Sequence, residues 1–462
     1  MLIEFTLANF KSYSTGHLPL GSLTVLIGAN AAGKSNALEG LRFLSWLAQG
    51  QKLSSIQYAV NSAEAVVRGR VNDLCYHGQS SFTIGCRLDL PEWNELNITL
   101  SVRDGELHIS SERITDSINT VPLYELDQPS QGINTDVGVA YNNFTRGQNK
   151  PRITCSDQMA IFVQLDSPAR FDIKYEKSQK IIPEIAGEYQ RVLNNILFLD
   201  PVPARMREYS FKSDKRLYED GKNLSSVLYR LWENQPENQQ IILNFIQSLP
   251  EQAIDGLNFL TGPRDEVMVR LRETFGDQPR YCDAALLSDG TLRVLAIAAV
   301  MLSATEGSLV VIEEIDNGVH PNRAKHLLTS IRDIAEQRKL RVLLSTHNPA
   351  LMDALPDESL KDVVFCFRDP EEGNKGNSRL VRLGDMDDYS SLILQGPLGQ
   401  LVTSGIVDRF VKSPHTPEDR KQQALDWLSR LQEWLFYHLE QRLEHFGSLL
   451  YQLAMWLVMS HR

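Results

Sequence analysis

Gly28-Ala-Asn-Ala-Ala-Gly33-Lys34-Ser35 follows the apolar run Leu23-Thr-Val-Leu-Ile27 and opens onto a helical pattern from Asn36. Strand, glycine-rich loop and helix stand in the order of a phosphate-binding loop, with the complete G-x-x-x-x-G-K-S spacing of Walker A. Backbone N–H groups must turn inward around a phosphate, so Gly28 and Gly33 are expected where a side chain would block the approach. The helix beginning at Lys34 points its partial positive charge at the anion. Lys34 has the reach for the β- and γ-phosphates, and Ser35 can coordinate Mg²⁺. Ala29, Asn30, Ala31, Ala32 and Asn36 complete the predicted cradle for a nucleoside triphosphate.

Leu309-Val-Val-Ile-Glu313-Glu314 is an apolar strand ending in two carboxylates. At such an end the first acid, Glu313, is placed to hold Mg²⁺ directly or through water. The second, Glu314, can orient and deprotonate an attacking water. About twenty residues earlier, Leu286-Leu-Ser288-Asp289-Gly290-Thr-Leu-Arg293 precedes the most apolar helical run in the chain. Ser288 and Gly290 stand at that helix's N-terminus, where a hydroxyl and backbone N–H groups can receive a phosphate. Ser-Asp-Gly is also ordinary cap and turn chemistry. Beyond the next buried strand, Ser345-Thr-His347-Asn-Pro sets a histidine at a strand end.

Composition narrows the partners. The net charge of −11 shows that the chain is not globally basic, so any nucleic-acid contact must come from a local patch. Arg205-Met-Arg207, Lys212 and Lys215-Arg216, interleaved with Tyr209 and Phe211, form such a patch, or else a solvated loop. The five cysteines are scattered without a C-x-x-C pair, which argues against a zinc site and suits a reducing cytosol. No leader pattern opens the sequence, and the longest apolar run, Val294 to Leu302, is far below the ~18 residues of a bilayer span. The chain is expected to be soluble and cytoplasmic, without a membrane partner.

Period-two alternation from about Ser80 to Thr115, with an Asp104-Gly105 turn, predicts antiparallel strands. Residues 116–160, rich in Asn, Gln, Gly, Asp and Pro, read as an irregular insertion, and helix-period segments dominate from about Ile181 to Phe275. The predicted organisation is 1–115, the N-terminal half of an ATPase head; 116–280, an irregular and helical insertion; 281–412, the C-terminal half; and 413–462, a helical segment. The stripe Leu439, Leu443, Phe446, Leu450, Leu453 and Trp456 in that last segment suits packing on the chain's own core or an oligomer or effector interface.

Taken in order, these motifs resemble those of SMC/RecF-like ABC ATPases, in the stand-alone bacterial branch of AAA-family ATPases. Leu286-Leu-Ser288-Asp289-Gly290 looks like the ABC signature in an L-S-D-G-T form, His347 like the switch histidine, and Ile315-Asp-Asn-Gly-Val-His320-Pro321 like the D-loop. Asn9-Phe10-Lys11-Ser12 resembles the N-F-[KR]-S opening, which implies that Lys11 and Ser12 lie against the adenosine. Glu313 replaces the usual Walker B aspartate, Ile315 replaces the usual D-loop proline, and Gln57 and Gln79 are the nearest residues to a Q-loop. The fold implied is α/β: an ABC-type P-loop ATPase head with an antiparallel β subdomain, a helical insertion and a C-terminal helical extension.

The resemblance implies ATP and Mg²⁺ as cofactors, with Lys34, Glu314 and His347 as catalytic residues. It also implies a homo-oligomer, at least a dimer, because the signature of one copy completes the Walker A site of another. Two partner classes follow: a separately encoded effector, as in anti-phage defence systems, or DNA, as in RecF-like repair ATPases. Asp385-Met-Asp387-Asp388 is the only echo of a nuclease module, so no nuclease activity is expected in the same chain.

Overall fold

The computed structural model describes residues 1–56, 66–119, 121–132, 134–147, 150–234, 236–247, 254–275, 278–316, 321–369 and 376–412. The chain divides into two compact units, Met1–Ile406 and Val407–Arg462. The apolar stripe predicted beyond residue 413, Gln57 and residues 317–320 of the D-loop-like segment lie outside the described residues. No helix among the described residues is long and apolar enough to cross a membrane.

A six-stranded sheet carries the motifs. Its order is Leu197–Leu199, Leu309–Ile312, Arg341–Ser345, Leu23–Ile27, Val363–Arg368 and Ser378–Arg382. The first five strands are parallel and only the last runs against its neighbour. Leu23–Ile27 and Leu309–Ile312 are buried at every position, the continuous apolar pattern of strands covered on both faces. Their shared direction brings the ends of the apolar runs, and hence the motif residues, to one edge.

The second sheet is antiparallel and eight-stranded, from Tyr13–Pro19 through Leu2–Phe10, Ser81–Leu88, Glu95–Arg103 and Glu106–Thr115 to three further strands. Asp104 and Gly105 have φ of 50° and 82°, the positive values that a two-residue type I′ hairpin needs. The three further strands, Tyr124–Gln128, Asp136–Tyr141 and Arg152–Ser156, correct the expectation of an irregular 116–160 insertion. They alternate inward Val137, Val139 and Tyr141 with more exposed neighbours, extending the same core.

Glu112 joins this outer sheet to the chain that follows. Its carboxylate accepts from the Ile161 and Phe162 backbone N–H groups and from Tyr124 Oη, each at 2.7 Å. It thereby satisfies two free donors at the start of the helix Ile161–Gln164. Full burial nevertheless pushes the carboxyl from 4.5 up to about 7. A raised folded-state pKa means that the native chain holds this proton more tightly than the unfolded chain. The stability it contributes is therefore present below pH 4.5 and is lost as pH rises through about 7. Glu112→Gln is expected to destabilise the fold at acid pH by ~1–3 kcal/mol, the cost of a disturbed buried hydrogen bond, and so to lower its melting temperature. It should also flatten the pH dependence of Tm between those values. A variant that keeps the wild-type slope overturns this assignment.

A third sheet corrects the helical expectation up to Phe275. Ser210–Phe211, Ile254–Thr261 and Gln278–Asp283 with Glu266–Phe275 form an antiparallel group. Val267, Val269 and Leu271 turn inward, while Arg270 and Arg272 pair across strands with Asp283 and Asp255. Helices Glu176–Asn194, Leu224–Asn234 and Glu237–Gln247 do follow the predicted period.

Candidate functional site: a phosphate loop facing two strand-end acids

The helix Lys34–Ala48 starts directly from the loop, with Gly33 at its N-cap position. Gly28 and Gly33 have φ of 145° and 124°, and Ala31 is also left-handed at 62°. The expectation that glycine serves phosphate approach is only part of the reason. A Cβ on Gly28 would lie 2.1 Å from the Cys366 carbonyl oxygen, and one on Gly33 would lie 2.2 Å from Ser378 Oγ. The adjoining strands therefore already forbid side chains at both positions.

A cavity of about 390 Å³ opens over this loop. It is lined by Ala29, Asn30, Ala31, Gly33, Lys34, Ser35 and Asn36, by Glu313 and Glu314, by Ser345, Thr346 and His347, and by Leu38, Arg68 and Arg368. Three predicted groups, the loop, the acids and the histidine, thus meet in one space. Gly28 and Ala32 build the loop from behind: Ala32 is buried and its carbonyl accepts from Ser378 Oγ at 2.5 Å. Ser288 and Gly290 are not among the lining residues. Ser288 caps the buried helix Asp289–Ser303, accepting from Thr291 N at 3.1 Å.

Lys11 and Ser12 are not brought to the cavity either. The Lys11 ammonium pairs with Glu39 and donates to the Arg68 carbonyl at 2.9 Å. Ser12 Oγ accepts from Asn36 Nδ2 at 2.8 Å and from Ser378 Oγ at 2.7 Å. The N-terminal hairpin is therefore bolted to the first turns of the Walker A helix.

The Lys34 ammonium folds onto the loop's own carbonyls, Gly28 O at 2.5 Å and Ala29 O at 3.1 Å. Burial lowers its pKa, opposed by the nearby Cys366, Glu314 and Asp316. A cation held only by neutral carbonyls inside a left-handed N–H nest is a cradle suited to phosphate oxygens. Ser35 and Glu313 offer hydroxyl and carboxylate oxygens, the hard donors that suit Mg²⁺. That ion needs only one or two protein oxygens beside phosphate and water. Among the described residues no group of three or more His, Cys, Asp or Glu could hold a metal on its own.

Strand pairing places the acids. Glu313 N donates to Leu199 O at 3.0 Å, which extends the ladder by one residue. Glu314 then turns into the left-handed region at φ 46°, with its N–H on Ser345 Oγ at 3.1 Å. Beyond it, Asp316 accepts from Thr346 Oγ1 at 2.7 Å and lies 3.6 Å from His347 Nδ1. The histidine is half exposed and lines the cavity.

Sequence reasoning missed the arginines. Arg42, two turns along the Walker A helix, donates to Glu313 at 2.9 Å, pairs with Glu219 and stacks over the Phe198 ring. Burial raises the Glu313 pKa, and Arg42 opposes that shift. Burial, with Glu219 and Glu314 nearby, also raises the carboxyl of Asp200, one residue beyond the strand Leu197–Leu199. Arg368 fastens the loop by donating to Ala31 O at 2.9 Å. Neither arginine stands in a local motif, so contacts made by folding are the signal for them.

This is the architecture of an α/β P-loop ATPase domain, with Walker A, the two acids and the histidine gathered at one edge of a parallel sheet. The chain belongs to the family described as "AAA domain, putative AbiEii toxin, Type IV TA system", which it matches over residues 23–353. It is also similar to a Helicobacter pylori protein described as an ATP/GTP phosphatase. The two are 20% identical over 376 residues, or 80% of this chain and 90% of that protein. Two solved structures with similarity are SMC heads. One is bound to the C-winged helix domain of ScpA: 13% identity, TM-score 0.45, covering 82% of this chain and 96% of that one. The other is from Thermotoga maritima: 12% identity, TM-score 0.39, covering 82% and 98%.

Proposed function

We propose that this chain is a Mg²⁺-dependent ATP switch whose hydrolytic sites are completed between two copies. The observation that carries the reading is spatial. Walker A, both acids and His347 share one cavity, while Ser288 and Gly290 sit at a separate helix N-terminus outside it. Each copy thus offers a phosphate cradle at one place and a phosphate-receiving helix end at another. ATP bound between two copies would contact both, and loss of the γ-phosphate would remove the contacts that favour the closed pair.

In this reading Lys34 and the loop N–H groups hold the phosphates, with Ser35 and Glu313 as the metal-facing oxygens. Glu314 takes the proton of the attacking water, and His347 senses the γ-phosphate from the strand end. The family description names a putative toxin of a toxin–antitoxin system, a setting in which a separately encoded protein partner is the reading we adopt. Four of the five bases offered to DNA are committed within the chain: Arg205 to Asp220, Arg207 to Asp289, Lys212 to Asp265 and Arg216 to the Ile196 carbonyl. Any DNA contact through this segment would have to compete with these pairs.

Light scattering tests the switch. Adding ATP and Mg²⁺ to a hydrolysis-arrested Glu314→Gln chain is expected to raise the mass about twofold, as a two-fold pair requires. Ser288→Arg in the same background should abolish the gain. A mass that ignores ATP overturns the reading.

A further inference from the structure

The segment from Pro201 to Asn223 is a strap tied at several points. Beside the pairs of Arg205, Lys212 and Arg216, its Glu219 holds Arg42, which in turn donates to Glu313. Arg207 reaches from this strap to the signature-like turn. Its Nη2 donates to the Leu287 carbonyl at 2.9 Å and to Asp289 Oδ1 at 2.6 Å. These two acceptors flank Ser288 on either side. Leu287 is buried while Leu286 is 73% exposed, so the turn projects outward from a fixed root. Ser288 Oγ is held from within by Thr291, through its N–H at 3.1 Å and its hydroxyl at 2.8 Å.

Asp289 also raises an electrostatic problem. Its carboxylate is largely exposed at the helix end that is to meet a triphosphate. Two like charges brought together there repel, and only a nearby cation offsets this. Arg207 is that cation, and it is in place before any nucleotide arrives.

We propose that Arg207 is a positioning residue for the composite reaction. It clamps the Leu287–Asp289 turn so that Ser288 is presented in one geometry, and it neutralises Asp289 against the γ-phosphate held by a second copy. The inference rests on the composite-site reading of the preceding section. An arginine fork suits the double duty, since one planar group can serve a carbonyl and a carboxylate together.

Steady-state ATPase and light scattering on the full chain test this. Arg207→Ala is expected to lower kcat about three- to tenfold, the loss of one or two partly exposed charge-assisted hydrogen bonds. In the Glu314→Gln background it should shift ATP-driven association to higher protein concentration by a similar factor. Binding of a fluorescent ATP analogue to the unassociated chain, and Tm, should stay at wild-type values. Arg207→Lys should recover part of the loss, and so should Arg207→Ala with Asp289→Asn, because the carboxylate that needed neutralising is gone. An Arg207→Ala chain with wild-type kcat and association overturns the proposal. So does a loss that neither the lysine variant nor the double variant relieves. Ser288→Arg separates the two readings: full activity there removes the composite site itself. An inactive Ser288→Arg beside a fully active Arg207→Ala removes only the role of Arg207.

Discussion

Glu314→Gln is expected to slow ATP turnover by ~10²–10⁴-fold, the usual cost of removing a positioned general base. ATP binding should be unchanged. Glutamine keeps the size and the backbone, so the left-handed turn at φ 46° and the N–H bond to Ser345 survive. What disappears is basicity inside a cavity that also holds Lys34, Ser35 and His347. Neighbouring Glu313 is a poor substitute, because its Oε1 is ion-paired with Arg42 at 2.9 Å and its remaining oxygen is the one assigned to the metal. Single-turnover hydrolysis with a filter-binding control reads both quantities. A purified variant that turns over ATP at the wild-type rate refutes the assignment of the base.

Mixing two inactive variants is expected to restore activity. Lys34→Ala removes the cradle cation and Ser288→Arg blocks the helix end, so neither variant alone has a complete site. In a mixed pair, the Lys34 of one copy faces the Ser288 of the other. Random exchange of equal amounts makes half the pairs mixed, each with one of two sites intact. Recovery of about a quarter of wild-type activity is therefore expected for a two-fold arrangement. If Ser288→Arg is fully active by itself, or the mixture stays silent, the sites are not shared.

The parallel sheet and its edge were legible because each clue was local. A continuous apolar run reads as a doubly covered strand whatever its distant partners, and Gly28 to Ser35 or Glu313-Glu314 reads as chemistry at its end. The outer strands at Tyr124–Gln128 and Asp136–Tyr141 are only five and six residues long, among Asn, Gly and Pro. Turn chemistry therefore outweighed their alternation. The strand Glu266–Phe275 was legible in principle: Val267, Val269 and Leu271 alternate with arginines, a period of two taken for part of a helical run. Arg42 and Lys11 were not legible. Their partners, Glu313 and Glu39, are joined to them by folding rather than by spacing. The ion pairs of the basic segment at 205–216 likewise depend on Asp220, Asp265 and Asp289, which no local reading connects to it.

The order of the central sheet has a consequence for how the protein is made. Leu23–Ile27 precedes most of the described strands in chain order, yet its two neighbours in the sheet, Arg341–Ser345 and Val363–Arg368, lie far downstream of it. Until both have emerged, a fully apolar strand and the loop behind it have no place to dock. Pairings this distant in sequence fold slowly and leave sticky edges waiting. A chain cut before Arg341 is therefore expected to lack the sheet that seats the loop, whatever Walker A residues it still carries.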